Sequence, residues 1–232
     1  MRLLFIFFSL FSCQLLAADP APFKVKNYAH LQGMEGFGDH LLQIHFKLYE
    51  GYVNQTNQLL SLLKDYSYEG QKPDPQYGAL KRRFNWEYDG MRLHEYYFEN
   101  LGGKGVLAPK SPLYQKMAQD FGSYEAWKKD FIATGMMRGI GWSILYYDQK
   151  ANRLFNVWVN EHDLGHLAGG TPLLIMDVFE HAYMPQYGLK KEDYISAFFK
   201  NINWEAVVKR FSSCSLFEEK VQQIEERSDL GD

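Results

Sequence analysis

The apolar run Pro172-Leu173-Leu174-Ile175-Met176 ends on Asp177, and His181 follows one helical turn later. A short apolar run of this kind reads as a buried strand. It delivers a carboxylate at its end, where burial is costly without a partner. The i, i+4 spacing then aims the His181 imidazole at the same point. The alternative is an Asp capping a helix beside an incidental core histidine. If Asp177 and His181 work together, the rest of the chain must fold so that further donors reach them. Of the seven histidines, His45 lies on an apolar helical stripe with Ile44, Leu48, Tyr49 and Tyr52, and His94 lies between Leu93 and Tyr97. A lone histidine on such a stripe is usually a satisfied core residue. One on each of two facing helices is different, because bundle cores are where metal sites are built. His30 reads as a surface residue. His40 and His45 are five apart and do not share a face.

The spacing of apolar residues predicts a helix from Met34 to Leu63, a turn-rich segment at 69–75 and a second helix from Tyr77 to Asn100, stopped by Gly102-Gly103. Together they make an α-hairpin. Helices follow at 112–121 and 123–136, then strands at Trp142–Asp148, Arg153–Asn160 and Pro172–Met176, then helices at 178–185 and 191–200. Helices first and strands later give an α+β fold. An N-terminal α-hairpin domain spans 19–105 and a C-terminal α/β domain with a small three-stranded antiparallel sheet spans 106–211. The tail, 212–232, reads as one amphipathic helix carrying Leu216, Phe217, Val221 and Ile224.

The net charge of -3 over 232 residues argues against sequence-independent nucleic-acid binding. Residues 1–18 combine Arg2, the apolar run Leu3 to Phe11 and small residues before Asp19, the pattern of a signal peptide. The run is too short for a stable membrane span. Export to a periplasmic or extracellular location is therefore expected, with cleavage after Ala17 or Ala18. Cys13 is a weak candidate for lipidation, since Phe11 is bulky where a small residue is the rule. Cleavage removes Cys13 and leaves Cys214 alone, so the mature chain relies on its core or a metal, not on an internal disulfide.

From Gly36 to Trp204 the sequence resembles the iron/manganese superoxide dismutases. The resemblance rests on His94-Glu95-Tyr96-Tyr97-Phe98-Glu99-Asn100-Leu101, Gly139-Ile140-Gly141-Trp142, Asp177-Val178-Phe179-Glu180-His181-Ala182-Tyr183, Tyr194-Ile195-Ser196-Ala197-Phe198-Phe199 and Asn201-Ile202-Asn203-Trp204. It implies that His45, His94, Asp177 and His181 hold one iron or manganese ion per subunit. Superoxide would be converted to dioxygen and hydrogen peroxide by cycling between the 3+ and 2+ states. It further implies a homodimer, or a tetramer, in which Glu180 crosses a twofold axis to a neighbouring His181.

Departures from the family pattern locate the tuning groups. Tyr52 matches the channel tyrosine but follows His45 by seven residues instead of eight. Seven residues turn an ideal helix about 700°, so a regular first helix is expected without a local bulge. Tyr49 then replaces an intervening histidine, and Met184 replaces its tyrosine partner. Gly90 stands where iron-type relatives carry an outer-sphere glutamine. Manganese-type relatives supply that glutamine from the loop that here reads Glu161-His162. His162 is thus the expected outer-sphere donor, with His166 second. Lys191 takes the place of a channel arginine, keeping charge without the planar fork. Phe98 and Phe179 replace tryptophans beside Trp142. Two rivals stand against this reading: a metal-binding relative without turnover, and a zinc hydrolase built on His162-Asp163-Leu164-Gly165-His166, which would need both imidazoles on one helical face.

Overall fold

The structure, a computed structural model, describes residues 22–64, 66 and 74–214. The expected signal peptide, Cys13 and most of the expected tail helix lie outside those residues. Helix α1 (Asp39–Lys64) and helix α2 (Pro75–Glu99) form the hairpin. Helix α1 starts later than the apolar pattern implied because Gly33 and Gly36 take positive φ (78° and 81°) and Asp39 accepts the Gly33 amide at 2.8 Å. Helix α2 starts earlier, at a proline, with Asp74 capping the Tyr77 amide.

Helices α3 (Pro112–Phe121) and α4 (Tyr124–Met136) open on Ser111 and Ser123, each accepting an amide from the third residue of its helix. Strands β1 (Gly141–Asp148), β2 (Arg153–Asn160) and β3 (Gly170–Asp177) form an antiparallel sheet of order β2-β1-β3. The central strand β1 is buried almost throughout, so it is apolar on both faces. Its register places Trp142 opposite Asp177. Helices α5 (Glu180–Tyr187) and α6 (Lys191–Lys200) follow, and a further helix, α7, covers 204–214. Asn203 opens α7, a helix that begins before the 212–232 tail expected to be helical. The expected α+β fold is the observed one.

The hairpin packs on the sheet through α2 and β3, and on α5 through α1. Arg210 of α7 fastens this joint: its guanidinium donates to the Leu173 carbonyl, Asn100 Oδ1 and Glu99. Asn100 in turn donates to the Ile175 carbonyl at 2.9 Å. The segment before α1 straps the hairpin together. Phe23 and Asn57 exchange two hydrogen bonds, and the Lys26 ammonium reaches Glu95 and Glu99. Among the described residues no helix is long and apolar enough to cross a membrane.

Candidate metal centre

The end of β3 fixes Asp177. Its carboxylate accepts the Phe179 amide at 2.8 Å, and its carbonyl accepts the Tyr194 hydroxyl at 2.6 Å. The Val178 amide is committed to the Gly141 carbonyl, which keeps the chain extended until α5 starts at Glu180 instead of 178. One turn beyond Asp177, at the second residue of α5, His181 Nε2 lies 3.1 Å from Asp177 Oδ2. His45 of α1 puts its Nε2 at the same distance from the same oxygen, and His94 Nε2 of α2 is 3.6 Å from it. One ligand atom from each of the four residues can be chosen so that all lie within 4.8 Å of one another.

The donor set fits a single first-row metal ion: three imidazoles and a carboxylate suit iron or manganese. Two observations of the site itself support this. His94 Nδ1 donates to the Gly90 carbonyl at 2.6 Å, which leaves Nε2 bare. That buried Nε2 has no hydrogen-bond partner. An orphaned acceptor in a core is costly, and a cation is the partner it lacks. Burial favours the neutral rings, pushing both His45 and His94 below the usual histidine range. Burial alone would raise the Asp177 carboxyl, but the His181 and His45 rings outweigh it and hold it well below the usual carboxylate range. Neutral His45 and His94 facing an ionised Asp177 are protonation states that a metal requires.

Helix α2 shows why its sequence reads as it does. Trp86, Gly90, His94 and Phe98 are spaced by four and share one face. A Cβ on Gly90 would fall 2.7 Å from Tyr52 Cδ1, so the Tyr52 ring occupies the space that a side chain there would take. Tyr52 stacks on His94 at 5.0 Å between centroids. Its hydroxyl lies 2.8 Å from His162 Nε2. The other nitrogen of that ring, Nδ1, accepts the Trp142 indole N–H at 3.1 Å. Because an indole only donates, Nδ1 is bare and the Nε2 proton faces Tyr52. His162 is fully buried, stacked on Phe179 at 4.6 Å, and burial pushes its pKa down to about 4. Trp86 closes the wall, with its ring 4.5 Å from that of His162. Its place eight residues before His94 was the overlooked signal.

Other expected site residues stand elsewhere. Every residue of α1 is α-helical, as the spacing from His45 to Tyr52 implied. Tyr49, expected near the channel, instead packs on Tyr28 and Phe98, and its hydroxyl bonds to Glu95 and the Lys26 amide. Helical geometry turns it toward the N-terminal strap, where buried Glu95 needs donors. His166 does not face Tyr52; it bonds to Tyr146 and to the His162 carbonyl. Residues 161–166 form turns, not a helix, so His162 and His166 lack the shared face that a zinc hydrolase would require. Lys191, the first residue of α6, donates to the Met137 carbonyl at 3.1 Å beside Trp158 and Tyr183. Burial lowers its pKa against the favourable field of Asp177. Glu180 is exposed on the single chain, next to half-buried His181.

Comparison with known proteins agrees with this geometry. Residues 109–210 match the family model of the iron/manganese superoxide dismutases, C-terminal domain. The chain is 38% identical to manganese superoxide dismutase 2 of Haloferax volcanii, over 75% of this chain and 86% of that one. It is 36% identical to the iron superoxide dismutase of Aquifex pyrophilus, over 80% and 89% respectively. The iron superoxide dismutase of Cupriavidus metallidurans is 35% identical, over 78% and 91%. With sequence similarity spanning both halves and three histidines and an aspartate converging at its centre, the chain belongs to the iron/manganese superoxide dismutase family.

Proposed function

We propose that this protein is a superoxide dismutase, with one iron or manganese ion per subunit held by His45, His94, Asp177 and His181. The observation that carries the reading is the convergence of those donors around an unpartnered His94 Nε2. An iron or manganese ion held there would supply one-electron chemistry, its 3+/2+ couple serving to oxidise one superoxide and reduce the next. The protein's own groups do the rest. Forming hydrogen peroxide consumes two protons, and the Tyr52 hydroxyl and His162 Nε2–H form a continuous donor pair beside the ligands. Burial raises the Tyr52 phenol, so it stays protonated at neutral pH. His162 also remains neutral there, which keeps its Nε2 proton directed at Tyr52. Trp86, Phe98, Trp142 and Phe179 exclude bulk water, and Lys191 contributes positive charge for an anionic substrate. Metal analysis of purified protein beside a superoxide assay tests the reading. Iron or manganese with activity is the expected result; a metal-replete protein without turnover would reassign it to a binding role.

The same proposal includes export and pairing. Residues 1–18 act as a signal peptide, so mature protein begins near Ala18 or Asp19 and works in the periplasm or outside the cell. An intact Met1 on N-terminal sequencing would refute this. Two copies associate so that Glu180 of one hydrogen-bonds the partner subunit's His181, fixing the ring of a ligand. A fully active monomer in sedimentation would contradict it.

A further inference from the structure

His162 sits on a loop, and a loop has no regular ladder to hold it. The chain turns sharply at Glu161, whose φ is 50°, and again at Gly165, whose φ is 102°. Asn160 and Leu164 close the turn with two backbone bonds, of 2.8 and 3.3 Å. Neither fixes the His162 peptide itself. That task falls to the second histidine of the motif. His166 Nε2 lies 2.8 Å from the His162 carbonyl oxygen. A carbonyl can only accept, so Nε2 carries a proton, and Nδ1 is left for the second contact. The Tyr146 hydroxyl meets Nδ1 at 2.6 Å. Burial pushes that phenol up and keeps it protonated, as a donor must be.

Tyr146 and Trp142 both belong to β1, four residues apart, and so face the same side of the central strand. One holds the His162 ring directly, through Nδ1; the other reaches the His162 backbone through His166. We propose that His166 is a positioning residue: anchored by Tyr146, it fixes the His162 carbonyl and thereby sets where the His162 ring meets Tyr52. Asp89 Oδ2 stands 3.7 Å from the same Nε2, beyond a good hydrogen bond, so the carbonyl holds the proton. The effect on turnover rests on the outer-sphere role assigned to His162, whereas the effect on His162 order does not. A donor displaced by a fraction of an ångström loses much of its value in a reaction that requires alignment.

The test compares His166→Ala, His166→Gln and Tyr146→Phe in the full mature chain. In metal-free protein, nitrogen-15 NMR reads the His162 ring. His166→Ala is expected to broaden the Nε2–H signal and hasten its exchange, and Tyr146→Phe to do so more weakly. Glutamine can donate to the His162 carbonyl and accept from Tyr146, so His166→Gln restores the wild-type signal. In metal-loaded enzyme of equal metal content, His166→Ala lowers turnover about ten-fold, and His166→Gln recovers most of it. Unchanged His162 signals in His166→Ala overturn the proposal, as does a His166→Gln variant no better than alanine. If His166→Ala does not fold, Tyr146→Phe and His166→Gln decide by the same readings. Full activity of His162→Ala would instead sink the outer-sphere role, a failure that the metal-free measurement distinguishes.

Discussion

The four converging side chains that we propose hold the metal, and His162, which we propose as outer-sphere donor, meet within one core but are held in different ways. His45 and His94 project from the middle of long helices, and Asp177 and His181 from a strand end and the helix it feeds. Regular backbone sets their directions, and hydrogen bonds from Phe179 and to Gly90 refine two of them. His162 comes from a tight turn and owes its place to side chains from elsewhere, Trp142 above all. The lesson is a division of labour: secondary structure places the three histidines and the aspartate that converge, and a custom set of contacts places His162 beside them.

That contrast is most open to attack at the ligands. His94→Ala should abolish metal retention and remove the rise in melting temperature that metal gives, since binding free energy is partly folding free energy. Elemental analysis and thermal unfolding with and without added metal check both. Full loading of this variant would break the comparison outright. Next in size, His162→Ala should keep its metal while losing about 10- to 100-fold in turnover, with a changed resting oxidation state visible in the absorption spectrum. Loss of metal here would show that the loop also binds. Gly90→Ala should be smaller again, costing about 1–3 kcal/mol in denaturant unfolding through overpacking against Tyr52, with metal retained. An unchanged stability would mean that Tyr52 can yield. Smallest is Lys26→Met, which removes a half-exposed ammonium from Glu99 and from buried Glu95; because Arg92 and Tyr49 still reach Glu95, it should cost about 1 kcal/mol or less. Unaltered turnover in that variant would confine Tyr49 and the strap to stability.

The same division explains what the sequence made legible. Asp177 and His181 stood out because an apolar strand and a one-turn spacing are local signals. His45 and His94 could be placed because helical periodicity carries a residue's face with it. Trp86 shares that signal on α2 and was passed over, since an aromatic on an apolar face looks like ordinary core. Tyr49 was drawn to the site by its spacing, yet its hydroxyl answers to Glu95 and Lys26, which no spacing connects to it. His166 could be read only as a rival donor. Its actual partners, Tyr146 and a backbone carbonyl, become neighbours through the sheet and a turn with a positive φ at a glutamate. Helix α7 was missed for a similar reason: its purpose, through Arg210, is to join β3 to α2.

The Tyr52 ring lying over Gly90 also constrains the order in which this molecule can change. A side chain at position 90 must wait until Tyr52 has moved, and Tyr52 is itself held by His162. A lineage descended from this chain therefore cannot transfer the tuning donor from loop to helix in a single mutation. The first step on that path meets a clash and the second strands a proton donor, so the two positions are epistatic. The loop, by contrast, meets the ligand-bearing helices through side chains, Tyr52 on α1 and Trp86 and Asp89 on α2, and carries none of the four metal-facing groups, so its donor can be exchanged while the ion stays bound.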